Sequence, residues 1–301
     1  MKQEHKCTHH KLSTTRVLSF SILIILFFAI FETVGAYISN SLALWSDAIH
    51  MFADFASLVL ALMAALIAKK SPSKKLSYGY GRAEIIGASI SSLMLIITVI
   101  FIIIEAIERL YVPEDIHVNS LLIISTIGLI SNILVIKILH AGEKNLNSRA
   151  AILHVIGDLL GSVAAIIAGI IIKFTAWTPI DSILSFFISI LILISSVSLL
   201  KEGLSVLMES VPKNINIEEI RQKLLNLEHI IDLHDLHVWS VASGKILLTT
   251  HLVVTDFAKW HQTLKDAHIL LKNNFNITHI TLQAELSCCN KNNNCYICEK
   301  Q

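Results

Sequence analysis

The sequence predicts a polytopic α-helical membrane protein, with six transmembrane helices followed by a small C-terminal α/β domain. Three observations carry this. The 301 residues are 54% hydrophobic and only 16% charged, against about 25% charged in ordinary soluble domains. The apolar residues crowd into residues 17–207, where six runs are long enough to cross a bilayer. After Pro212 the pattern becomes that of a soluble domain. Four segments follow: a polar His/Cys segment at 1–16, a six-helix membrane domain at 17–207, a metal-binding α/β domain at 208–287 and a Cys-containing tail at 288–301.

The first apolar run, Val17–Ile38, lacks a small-residue cleavage site and reads as a true span rather than a signal peptide. The others are Ser41–Ala68, Ala83–Leu110, Val118–Leu139, Ala150–Ile172 and Ile180–Leu200. Six spans put both termini on one side. Lys2, Lys6, Lys11 and Arg16 precede the first span. Lys69, Lys70, Lys74, Lys75 and Arg82 lie between the second and third, and Lys137, Lys144 and Arg149 between the fourth and fifth. The positive-inside bias makes that side, with both termini, cytoplasmic. In the last domain Ile217–Leu227 and Lys259–Asn273 read as helices. His234–Val241, Ile246–Thr255 and Ile277–Leu286 read as strands, in the order α-β-β-α-β.

Ionisable groups at bilayer depth cost roughly 2.5–3.5 kcal/mol each on insertion scales and usually line a site or pathway. The second span carries Asp47, His50 and Asp54, and the fifth carries His154 and Asp158. Residues four apart share one helix face, so His50/Asp54 and His154/Asp158 each present one imidazole and one carboxylate together. If the two helices face each other, these four groups suit a tetrahedral zinc ion. The plainer reading, hydrogen bonding that only fixes helix packing, accounts poorly for two matched pairs. Asp47 shares the broad face, as an entry carboxylate or as an acidic residue favoured by the helix dipole. Glu32 in the first span is a cavity candidate or a partner between helices; Glu105 and Glu108, near the end of the third, read as interfacial. Gly157 and Gly161 have the spacing that lets membrane helices approach closely.

In the polar domain, strict alternation places His234 on one face of its strand, and Asp235 and His237 on the other. His234, His251 on the second strand and Glu285 on the third would then converge as a second metal site; lone strand histidines are more often structural. The five cysteines are Cys7, Cys288, Cys289, Cys295 and Cys298. Their odd count and clustering near histidines favour metal or redox chemistry over a disulfide framework. His5, Cys7 and His9 could complete a thiolate site with Cys295 and Cys298, unless the tails are only scavenging thiols.

Residues Ser39–Asp54, with their sequence SNSLALWSDAIHMFAD, resemble the second-span signature of the cation diffusion facilitator family. So do Tyr78-Gly79-Tyr80-Gly81-Arg82-Ala83-Glu84, His154-x-x-x-Asp158 and His234-Asp235-Leu236-His237-Val238-Trp239-Ser240, in the expected order. The resemblance implies a six-span homodimer with a ferredoxin-like cytoplasmic domain. It implies zinc efflux from the cytoplasm, with cadmium or cobalt as further cargo, by exchange for protons through His50, Asp54, His154 and Asp158. No prosthetic group is expected; Zn2+ is the cargo and a ligand of the cytoplasmic domain, and a bacterial inner membrane is the expected location. The His-Asp/His-Asp pattern resembles the zinc-handling branch, and the terminal His/Cys clusters are similar to those of animal vesicular zinc transporters. The loop between the second and third spans holds no histidine, so a loop zinc site of some relatives is not expected. The Glu at 285 departs from relatives that use His and Asp there.

Other classes fit less well. A net charge of +1 leaves no basic footprint for nucleic acid. No G-x-x-x-x-G-K-[ST] is present for ATP-driven export, and no H-E-x-x-H for an intramembrane metalloprotease. A membrane-anchored metal sensor without transport is the alternative, but an anchor needs no buried charges in two spans.

Overall fold

The computed structural model describes residues 14–39, 42–111, 118–142, 145–242 and 244–286. The chain forms two compact units, dividing between Leu204 and Ser205.

The first unit is helical. It comprises α1 (Thr14–Ser39), α2 (Leu42–Ala68), α3 (Arg82–Tyr111), α4 (Val118–His140), α5 (Leu146–Thr175) and α6 (Pro179–Leu207), the last running three residues past the division. These agree with the six expected spans to within four residues at each end, except that α6 runs on to Leu207, seven residues beyond the expected Leu200. Among the described residues, Thr14–Phe31 and the whole of α3, α4, α5 and α6 are long and apolar enough to cross a membrane, and the apolar part of α2 runs from Asp54 to Ala68. Large side chains such as Phe20, Leu23, Phe27, Phe101, Phe187 and Ile194 point outward, as a lipid environment allows.

Two buried clusters hold the helices together. Val17, Leu18, Ile22 and Ile25 of α1, Met51 and Leu58 of α2, Val135 and Leu139 of α4, and Ala151 and Val155 of α5 form one core. Leu95 and Val99 of α3 meet Ile192 of α6 in a smaller one, against which Leu153 of α5 packs. α3 lies chiefly against α2 and α5. Gly87 brings α3 against α2: a Cβ there would lie 2.4 Å from Ala64 Cβ.

Polar side chains tie one end of the bundle. Asn145 caps α5 by accepting from the Ser148 N–H at 2.7 Å. Its amide donates to Glu84 Oε1 at 3.2 Å and to Thr14 Oγ1 at 3.3 Å. Asn147 donates to the Ala61 carbonyl at 2.7 Å, and Lys69 donates to Thr15 Oγ1 at 2.8 Å. Four helices are thereby linked at the end that carries the basic loop. Sequence reading did not anticipate these links, because Asn in a loop reads only as a turn or cap residue.

The second unit contains α7 (Ile217–Leu225), β1 (Ile230–Ala242), β2 (Lys245–Val254), α8 (Trp260–Phe275) and β3 (His279–Leu286). The sheet order is β1-β2-β3, antiparallel between β1 and β2 and parallel between β2 and β3. Ile220 and Leu224 of α7, and Ala267, Leu271 and Phe275 of α8, pack on Leu233, Val238, Leu248 and Leu252 of the sheet. The expected α-β-β-α-β order is observed.

One expectation about β1 is overturned. His234 pairs with His251 but His237 pairs with Thr249, so three residues on β1 oppose two on β2. Asp235 takes a left-handed φ of 51° at this bulge. The extra residue returns His237 to the face of His234 and lets Val238 reach the core, where strict alternation would have placed them oppositely. The Gly157/Gly161 pair also differs from expectation. A Cβ at Gly157 would lie 3.2 Å from Ile192 Cδ1 of α6, but one at Gly161 would meet nothing within 4 Å. The close approach of α4 and α5 uses Gly128 and Gly169 instead, whose added Cβ atoms would lie 3.3 Å from Ser162 Oγ and 2.8 Å from Leu122 Cδ2.

These spacings set a test of the packing. Gly87→Ala would force α2 and α3 apart and cost about 1–3 kcal/mol, whereas Gly161→Ala fills open space and stays within about 0.5 kcal/mol. Thermal melting of the detergent-purified protein should show a lowered Tm for the first only; equal melting would contradict the close approach of α2 and α3.

Candidate metal centre

Asp54 in the middle of α2 and His154 and Asp158 near the start of α5 come together between the two helices. The α5 pair is separated by one helical turn, which stacks both side chains on the face toward α2. His154 Nε2 lies 2.8 Å from Asp54 Oδ1 and 3.9 Å from Asp158 Oδ2. The three side chains are only 7–14% exposed. Their potential ligand atoms all fall within 4.8 Å of one another. Zinc bonds of about 2.0–2.2 Å give a tetrahedron with edges of about 3.3–3.6 Å, which the observed 2.8 and 3.9 Å bracket. With Nε2 protonated, His154 donates to the Asp54 carboxylate, so a proton occupies the edge a metal would bridge. A metal bound there must displace that proton, because a ligating imidazole is neutral and offers its lone pair.

His50, expected as the fourth ligand, lies one turn before Asp54 on α2. Its side chain, with those of Asp47 and Glu32, falls outside the described residues. So do His5, Cys7, His9, Cys295 and Cys298 of the tails.

The three side chains open into a cavity of about 310 Å³ lined by residues of α2, α3, α4, α5 and α6. Beyond Asp54, His154 and Asp158 its wall carries polar groups that include Thr98 of α3, Ser125 and Asn132 of α4, Ser162 of α5, and Ser185 and Ser189 of α6. Gly161 also lines it, which explains the open space at that glycine. These hydroxyls were not singled out from sequence. The available signal was the 182, 185, 189, 196 spacing of serines in α6, which follows one helix face.

A second group stands on the sheet of the other unit, on the face away from α7 and α8. His251 Nδ1 lies 2.7 Å from Glu285 Oε1, and His234 Nε2 lies 3.4 Å from Glu285 Oε2. The imidazole rings are tilted with centroids 5.0 Å apart. Gln283 donates to Glu285 Oε1 at 3.0 Å and helps to fix that carboxylate. Direct pairing of His234 with His251 and the two-residue step from Gln283 to Glu285 put all four on one face. His234, His251 and Glu285 therefore converge as the sequence suggested, with their potential ligand atoms also within 4.8 Å. His237 shares the face through the bulge but lies outside this group.

Residues 18–208 match the sequence model of the cation efflux transmembrane domain, and residues 212–287 that of the cation efflux protein cytoplasmic domain. The chain belongs to the cation efflux family. Its relatives include a Bacillus subtilis protein named cadmium, cobalt and zinc/H(+)-K(+) antiporter, 39% identical and covering 95% of this chain and 93% of that one. The zinc transporter ZitB of Pectobacterium atrosepticum is 38% identical over 95% of this chain and 90% of its own. The metal cation efflux system protein CzcD of Cupriavidus metallidurans is 40% identical over 87% of this chain and 84% of its own. A solved structure of the metal-bound C-terminal domain of the latter organism's CzcD transporter is similar at 35% identity, with 24% of this chain and all of that one covered and a TM-score of 0.23. Membership of the cation efflux family makes this chain a transporter rather than an enzyme. Nothing in these relationships supports the sensor alternative.

The placement of the two groups in different units of the chain makes them independently testable by zinc titration calorimetry. Glu285→Gln should weaken one class of sites by at least about tenfold, the scale on which losses around a metal are felt, and leave the other untouched. Asp158→Asn should do the reverse. If either substitution weakened both classes together, the assignment of two separate sites would be wrong.

Proposed function

We propose that this chain moves zinc out of the cytoplasm in exchange for protons, with cadmium and cobalt as further cargo. The observation that carries the reading is the 2.8 Å contact of His154 Nε2 with Asp54 Oδ1, beside Asp158, with all three side chains largely buried at the edge of a cavity; a proton on Nε2 occupies that edge in this reading. Zinc takes the place of the proton; protons arriving from the far side take the place of zinc. His50 is the fourth ligand in this reading, and Asp47 and Glu32 stand second in rank. Relatives named for zinc, cadmium and cobalt transport, and for exchange with protons, support this cargo and counter-ion.

The orientation rests on the distribution of Lys and Arg, which favours cytoplasmic termini. Residues 1–16 and 288–301 are then on the cytoplasmic side, where His5, Cys7, His9, Cys295 and Cys298 would bind zinc. The cytoplasmic domain holds zinc at His234, His251 and Glu285 and pairs two copies of the chain. Binding there biases the transporter only through differential affinity for its states.

Reconstitution in proteoliposomes provides the decisive measurement, with zinc and pH indicators in the lumen and an imposed proton gradient, with and without potassium. Zinc and protons are expected to move in opposite directions, and Asp54→Ala or Asp158→Ala should abolish both fluxes. Zinc movement with no proton counterflow would refute antiport. Selectivity is expected to respond to position 50: His50→Asp should admit manganese relative to zinc in the same vesicles. An unaltered zinc-to-manganese ratio would remove His50 from the ligand set.

A further inference from the structure

A second cavity, of about 110 Å³, is lined by Ile102, Glu105, Ala106 and Arg109 of α3 and by Asp181, Ser182 and Ser185 of α6. Ile102 and Ser185 also line the cavity that holds Asp54, His154 and Asp158. The two spaces therefore share a wall between α3 and α6. On α3 the lining positions Thr98, Ile102, Glu105 and Arg109 advance by three or four residues, as do Ser182, Ser185 and Ser189 on α6. Each set is one helix face running from the metal centre to a helix end. That end is the C-terminus of α3 and the N-terminus of α6, opposite the basic loop that precedes α3.

The charged groups at this end are arranged around the second cavity. Arg109 pairs with Glu105, one turn away on α3, and both line the second cavity with Asp181 of α6. Glu108, beside Arg109 in sequence, lines neither cavity. An aspartate in the first turn of a helix that begins with proline has an ordinary explanation, since the helix dipole favours it there. That explanation accounts for Asp181 being acidic. It does not account for a carboxylate that lines a space sharing a wall with the metal cavity and is joined to it by a stripe of serines.

Building on the transport reading above, we propose that Glu105, Arg109 and Asp181 form the far-side mouth of the pathway, with Asp181 passing protons inward. A carboxylate accepts a proton from the far side and releases it toward the space it shares with the metal cavity, whose wall offers the Ser182, Ser185 and Ser189 hydroxyls as donors and acceptors. Arg109 does not release its proton. It holds the carboxylates in place and presents a fixed positive charge to a divalent cation returning from the far side.

The test compares wild type, Asp181→Asn, Asp181→Glu and Asp158→Asn in proteoliposomes, following zinc flux as the far-side pH is varied. Asp181→Asn is expected to retain wild-type zinc affinity at the membrane site in calorimetry but to lose the dependence of its rate on far-side pH. Asp181→Glu should restore that dependence, which a purely structural role would not require. Asp181→Cys should be labelled by a membrane-impermeant thiol reagent applied to the far face, with the modified peptide located by mass spectrometry. Wild-type pH dependence in Asp181→Asn, or absence of label at position 181, would overturn the proposal. Either result alongside an inactive Asp158→Asn would leave the transport reading standing; absence of coupled flux in wild type would remove both.

Discussion

The contact between His154 and Asp54 is the constraint on which the membrane unit depends. An imidazole and two carboxylates inside a bilayer must satisfy one another, since neither lipid nor apolar side chains can do so. Their ligand geometry holds only if α2 and α5 keep their register. The rest of the bundle serves that requirement. α1 packs along α2, α4 approaches α5 closely through Gly128 and Gly169, and the Asn145 and Asn147 links join α1, α2, α3 and α5 at one end. A buried ionic contact adds little stability by itself, so its presence in two packed helices reflects what the site must do.

The cavity beside these groups is walled by several helices. Asp54 comes from α2, and His154 and Asp158 from α5, while α3 and α6 contribute Thr98, Ile102, Ser185 and Ser189. α3 lies against α2 and α5, whereas α6 packs extensively on no single helix among the described residues. Under the transport reading, movement of α6 would alter access to the cavity without disturbing the contact of α2 with α5, as alternating exposure of one site to each side requires.

Much of this was readable in the chain. Hydropathy located six helices because a membrane imposes one length and one composition on every span. The repeated His-x-x-x-Asp spacing drew attention to Asp54, His154 and Asp158, which do converge, because helix geometry turns that spacing into a shared face. The convergence of His234, His251 and Glu285 followed from strand order. What escaped had local or negative causes. The bulge at Asp235 breaks the period of two on which a strand reading rests, and its signal, a non-glycine residue with positive φ, is visible only in the backbone. The Gly157/Gly161 spacing suggested a helix contact, yet Gly161 faces a cavity. Absence of a side chain serves open space as well as close approach. The serines of α6 were legible as a stripe, but serine is common in spans and gains meaning only from the cavity beside it.

The two groups present nearly the same side chains in different surroundings, and that difference separates what each can do. On the sheet the His234, His251 and Glu285 side chains are 25–31% exposed, so water reaches that carboxylate. Asp54 and Asp158 are 7% and 14% exposed. Carboxylates so far from water need a partner inside the protein, and His154 Nε2, 2.8 Å from Asp54 Oδ1, is placed to be one. The transport reading draws on that need: a dication and protons are alternative partners for the same buried oxygens, a competition that the better-solvated group on the sheet does not require.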